Sequence, residues 1–229
     1  MSQQSEWDPR HWQDPPSIYR SAPFWSWNSH LDTDRLCRQI EQMHAAGMGG
    51  FFMHSRYGLK TPYLSQEWFE CVSACVEKAR SLGMKAYLYD EDRWPSGSAG
   101  GLVTRDRPEF GRQFLAAVPG EEVPAELERV ATFATRLDQA GLLAAYRPLE
   151  EGQSCQQDEQ LLTFVAGVAR PSAWFNEAPY LDTLNSEAVA EFVRLTHQAY
   201  ADRFGKDFGD VIPAISTDEP TRLGMISYA

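Results

Sequence analysis

Asp90-Glu91-Asp92-Arg93-Trp94 places three acids, a cation and an indole at five consecutive positions. The run follows the apolar Ala86-Tyr87-Leu88-Tyr89 and precedes Pro95 and the glycine-rich Ser96-Gly97-Ser98-Ala99-Gly100-Gly101. Charge at that density cannot continue inside a buried strand without a heavy desolvation cost, so it marks a strand end that opens onto a cleft. Carboxylates and an arginine beside a flat ring suit a sugar: the ring stacks on C–H faces and the charged groups take the hydroxyls. The plain alternative is a solvated, salt-bridged turn. Three other strand ends weigh against it, because each makes the same switch from apolar to chemically capable residues.

These are Trp27 and Asn28 after Ala22–Ser26, His54 and Arg56 around the end of Gly49–Met53, and Asp218 and Glu219 after Val211–Thr217. In a parallel α/β sheet or barrel, all strand C-termini lie along one edge, and that edge carries the site. Glu219 follows an apolar strand, precedes Pro220 and has Asp218 beside it. A neighbouring acid and partial burial both raise a carboxyl pKa, as a proton donor to a glycosidic oxygen requires. Glycoside cleavage needs a second carboxylate, a nucleophile at about 5–5.5 Å or a more distant base. Asp90, Glu91, Asp92 or a residue beyond the chain's end could fill that role. Each residue also has a structural reading: His54 as a satisfied core histidine, Arg56 or Arg93 as counter-ions to Asp90 or Asp92, and Trp94 as packing. A metal-dependent hydrolase using His54, Asp90 and Asp92 is a weaker reading, since no HxH pair falls on any strand end.

The elements that must position these residues follow a strand–helix rhythm. Residues 1–20 form an irregular lead-in with Pro9, Pro15 and Pro16. Asp32 or Thr33 caps a helix with apolar positions Leu36, Ile40, Met43 and Ala46, stopped by Gly47. Ser65 caps a second helix, whose stripe is Trp68, Val72, Cys75, Val76, Ala79 and Leu82, stopped by Gly83. The Lys85 strand follows. Near-continuous apolar strands with short connections predict a parallel sheet covered on both faces. The rhythm breaks between about 110 and 175, where Val130–Thr135, Gly141–Tyr146 and Leu161–Val168 predict a peripheral, strand-rich insertion after the third strand. It returns at Asn185, which caps a long helix with stripe Val189, Phe192, Val193, Thr196 and Tyr200, and then reaches the fourth strand.

Composition bounds the function. With 229 residues, 43% of them apolar, the chain can bury a sizeable core. A net charge of −11 argues against nucleic acid and disfavours a polyanionic substrate, although local fields can differ. Seven Trp are the ordinary mark of a large core, and a carbohydrate site is another common reason for them. The four Cys form no zinc-type CxxC pair, and Cys75 sits on an apolar helical stripe. The N-terminal Met-Ser-Gln-Gln-Ser-Glu lacks an apolar signal region and no membrane-length apolar run occurs, so a cytoplasmic protein with no membrane partner is expected.

The same strand ends carry a family likeness. Phe24-Trp25-Ser26-Trp27-Asn28, His54-Ser55-Arg56-Tyr57-Gly58-Leu59, Tyr89 through Gly97, and Thr217-Asp218-Glu219-Pro220 resemble barrel segments of bacterial glycoside hydrolases, above all the family 106 α-L-rhamnosidases. Tyr180-Leu181-Asp182-Thr183-Leu184-Asn185 fits the same pattern. The resemblance implies a (β/α)8 TIM barrel over residues 21–229, interrupted by the insertion, of which about the first four βα units are present. It implies an acid role for Glu219 alone; substrate contacts from Trp27, Asn28, His54, Arg56, Asp90, Glu91, Asp92, Arg93, Trp94 and Asp218 are expected from their shared strand edge. It also implies cleavage of a terminal sugar, α-L-rhamnose first, and calcium as a cofactor with no ligand set assignable. A non-catalytic, carbohydrate-binding half barrel is the alternative. Half a barrel leaves its first and fourth strands unpaired, so the chain by itself is expected to self-associate through those edges; with any partner carboxylate on later strands, it is also expected to be inactive.

Overall fold

The computed structural model describes residues 9–120 and 122–221. Five elements alternate first: β1 (Phe24–Trp27), α1 (Thr33–Ala45), β2 (Gly50–Ser55), α2 (Gln66–Ser81) and β3 (Lys85–Tyr89). The caps act through orphan N–H groups at the helix starts. Asp32 accepts from the Arg35 N–H at 2.7 Å, and Ser65 from the Trp68 N–H at 3.2 Å. Gly47 and Gly83 follow the two helices with φ of +82° and +66°, the left-handed conformation that ends a helix at little cost to glycine.

β1, β2 and β3 pair in parallel in sequence order, and β8 (Ile215–Ser216) adds to β3 as the fourth strand. Side chains alternate across this sheet. Trp27, Phe51, Met53, Ala86 and Leu88 point toward the helices and join Ile40, Val72, Val76 and Tyr200 in the main core. Cys71 and Cys75 are buried in that core, where apolar surroundings push the Cys75 thiol well up. Phe24, Phe52 and Tyr87 line the other face; Phe52 and Tyr87 stack with centroids 4.4 Å apart, and Phe24 is 61% exposed.

Two predicted elements differ in detail. The expected strand Val211–Thr217 is regular only at Ile215–Ser216. Pro213 has no N–H to donate, and the segment instead offers carbonyls to β3: Ala86 N–H to Val211 at 2.9 Å, Leu88 N–H to Ala214 at 3.2 Å and Asp90 N–H to Ser216 at 3.2 Å. The long helix starts at its Asn185 cap as α3 (Ser186–Val193), passes through a wider i→i+5 turn at Arg194–Gln198, and ends as α4 (Ala199–Phe204). It buries Ala188, Phe192, Thr196, Tyr200 and Phe204, while Val193 is exposed. Steps of four residues drift around a 3.6-residue helix, and the wider turn takes up the excess.

Between β3 and α3, residues 113–168 form a four-stranded antiparallel sheet of β4 (Gln113–Pro119), β5 (Glu128–Leu137), β6 (Leu143–Pro148) and β7 (Gln160–Val168), in the order β4-β7-β5-β6. β4 was outside the expected apolar runs, although Phe114, Ala116 and Val118 alternate with more exposed neighbours. A second apolar cluster of Ala99, Val103, Phe110, Leu181, Ala188 and Phe192 ties the base of this sheet and the loop after β3 to α3.

The fold is therefore mixed α/β, with one parallel and one antiparallel sheet. A TIM barrel is not shown: among the described residues the parallel sheet does not close, and β1 and β8 are its edges. No helix among the described residues is long and apolar enough to cross a membrane.

Candidate functional site

The loop after β3 is folded around one carboxylate. Glu91 is 1% exposed and accepts five backbone N–H bonds. Gly97, Ser98 and Ala99 donate to its Oε2 at 2.7–2.9 Å, and Asp92 and Gly100 to its Oε1 at 2.8 and 2.7 Å. Successive N–H groups can converge in this way because Gly97, Ala99 and Gly100 all adopt positive φ. Burial pushes the Glu91 carboxyl up, to about 7, against these donors, which pull it down. The structure places Glu91 beneath the loop as its anchor, away from solvent.

The flanking acids are also engaged. Asp90 is fully buried and accepts from Ser96 Oγ and Thr217 Oγ1, both at 2.6 Å, with His197 Nε2 at 3.4 Å. Burial raises its pKa, and the two hydroxyls oppose that rise. Ser96 in turn joins the two strand ends: its N–H donates to the Asp218 carbonyl and its Oγ accepts from the Asp218 N–H, each at 2.8 Å. Asp92 accepts from Ser55 Oγ at 2.8 Å and Asn176 Nδ2 at 3.1 Å, and pairs with Arg93 at 3.3 Å. Arg93 also donates to the Ala173 and Trp174 carbonyls at 3.1 Å and to Asn176 Oδ1 at 2.6 Å.

The open part of the edge lies along β3 and β8. Glu219 lacks the partial burial expected of it and is exposed; its φ is +45°, and its Oε2 accepts from Trp94 Nε1 at 2.9 Å. A left-handed backbone at a non-glycine residue costs of order 1–3 kcal/mol, and such outliers concentrate at functional positions. Asp218 is half-buried, and Tyr89 Oη lies 3.5 Å from its Oδ2. The Tyr89 ring stacks at 3.9 Å on His54, whose buried Nδ1 has no hydrogen-bond partner among the described residues. Burial lowers the His54 pKa, as does the nearby Arg56 charge, while Asp218 pulls it up. Arg56 and Asn28 are exposed on the neighbouring strand ends.

Trp27 lies apart from this edge. Its ring is 2% exposed and meets Trp68 edge-on at 5.1 Å inside the main core, so it offers no face to a sugar. The exposed rings are others. Trp94 (45% exposed) adjoins Trp174 (42% exposed), whose Nε1 donates to the Trp94 carbonyl, and Trp174 lies parallel to Tyr57 with centroids 6.2 Å apart. Trp174, Asn176 and Ser96 join the site without being singled out by residue pattern. Trp174 and Asn176 sit where the chain returns from the antiparallel sheet, a stretch expected at the periphery. Asn176 and Glu177 are both left-handed at this return, a conformation that Asn tolerates well.

Among the described residues no group of three His, Cys, Asp or Glu side chains has metal-binding geometry. Asp90, Glu91 and Asp92 each turn toward hydroxyl, amide or N–H donors, a set that suits anions and does not fit calcium.

No family model and no curated protein matches the chain. Among solved structures, a rhamnosidase from Novosphingobium sp. PP1Y aligns at 19% identity and a TM-score of 0.39, over 59% of this chain and 17% of its own length. The chain thus spans less than a fifth of that protein. A likeness of this size carries no weight for fold or activity.

Proposed function

We propose that the chain carries the proton-donor edge of a glycoside hydrolase, with Glu219 as the acid. The observation that carries this reading is Glu219 held by the Trp94 indole at the end of β8, in a costly backbone conformation, beside exposed aromatic rings. Asp90, Glu91 and Asp92 are committed to hydroxyl, amide and N–H donors, which leaves Asp218 as the carboxylate adjoining Glu219. Trp94 and Trp174 offer stacking faces, while Arg56 and Asn28 offer donors to hydroxyls. The motif resemblance favours a terminal α-L-rhamnose as the sugar.

A second reading has its own support. Three of the five acids at the strand ends hold loops in place, as they would in a non-catalytic carbohydrate-binding protein. Titration of this chain with L-rhamnose, combined with release of p-nitrophenol from its α-L-rhamnoside by a form that also carries the partner carboxylate, separates the two. Turnover that falls in Glu219→Gln supports the hydrolase. Binding without turnover favours the second reading, and absence of both overturns each.

A further inference from the structure

A cavity of about 260 Å³ opens between the loop that follows β2 and the loop that follows β3, on the Asp92 side of the strand edge. That is just under the range of drug-sized ligand sites, the scale of one small polar unit. Lys60 and Arg105 line it from opposite loops, and among the described residues neither has an ion pair or a side-chain hydrogen bond. Asp92 and Arg93 also reach the lining, but as a pair at 3.3 Å, with the Asp92 oxygens already met by Ser55 and Asn176. The Ala99 and Gly100 N–H groups in this wall are taken by Glu91. Two cations without counter-ions therefore face one cavity in a chain of net charge −11.

From this we infer that the cavity binds an anionic group on a small sugar unit, a uronate carboxylate, between Lys60 and Arg105. Leu59, Pro62 and Leu102 supply the apolar part of the wall, while Lys60 and Arg105 are themselves exposed, so both charges reach the cavity from its solvent side. The sugar part rests on the carbohydrate reading above; the anionic part stands on the cations alone. A local positive field of this kind is compatible with an acidic protein, because net charge sets the far field and lining residues set the near one.

The test is an NMR titration of the full chain with D-glucuronate, D-glucose and sodium sulfate at constant ionic strength. It is run on wild type and on Lys60→Met/Arg105→Met, whose fold is checked by circular dichroism. Glucuronate is expected to shift the amides of residues 59–63 and 100–105, with glucose and sulfate weaker. The double variant should bind glucuronate about tenfold or more weakly, the loss expected for charge-assisted hydrogen bonds. Equal affinity for glucose, or undiminished glucuronate binding in the variant, overturns the proposal. Sulfate binding as tightly as glucuronate overturns the sugar, and no binding of any probe overturns the site. Glucuronate binding retained where L-rhamnose neither binds nor turns over would overturn both readings of the Glu219 edge and leave the anion site of this cavity standing.

Discussion

The Trp94 indole N–H donates to Glu219 Oε2 at 2.9 Å, although 125 positions separate the two residues. The contact joins the loop after β3 to the end of β8 and holds an exposed carboxylate next to an exposed ring. As proton donor, Glu219 should be replaceable by Gln without loss of fold, because the amide has the same shape but cannot give up a proton. In the active protein, Glu219→Gln is expected to slow hydrolysis of an unactivated rhamnoside by about 100- to 10,000-fold. A substrate with a very good leaving group should lose less. Near wild-type rates on both substrates would remove Glu219 from the acid role.

Glu91→Gln acts on stability. The amide replaces one acceptor oxygen with an NH2 group that faces backbone N–H donors, leaving at least two of them unmet in a buried site. A loss of roughly 2–4 kcal/mol is expected from unsatisfied buried groups. Urea denaturation of the variant measures it, and a change below about 0.5 kcal/mol, the ordinary range for a surface substitution, would show that the loop does not depend on this anchor.

His54 sets a pH dependence. Its folded pKa lies below the ordinary 6.5 because burial disfavours the charged ring. The unfolded chain therefore binds the proton first as pH falls. The His54 contribution is fully present above pH 6.5 and is lost as pH falls through the folded pKa. NMR titration of the His54 ring should give a midpoint below 6.5, and a midpoint above it would contradict the burial account.

Open edges and an aromatic face favour self-association. β1 and β8 have free outer sides among the described residues, and Phe24 is 61% exposed beside Phe52 and Tyr87. Sedimentation velocity is expected to show dimer or larger species that diminish in Phe24→Ser. A monomer at all accessible concentrations would refute this.

Much of the local architecture could be read from residue types. Helix starts at Asp32, Ser65 and Asn185 follow from side chains that satisfy orphan N–H groups, and β2 and β3 follow from apolar runs long enough to bury. These depend on neighbours in sequence, so sequence suffices. The roles of the strand-end residues do not. Asp90, Glu91 and Asp92 look alike as a run of acids, yet one meets hydroxyls from residues 96 and 217, one a nest of backbone N–H groups, and one Ser55 and Asn176. Trp27 and Trp94 are both aromatics at strand ends, but the pleat turns the first into the core while the loop carries the second into solvent. Trp174 reaches the edge only because the chain returns from the antiparallel sheet beside Arg93. A side chain's partner depends on which distant backbone it meets and its exposure on which face it takes at a turn, and both are settled when the loops pack.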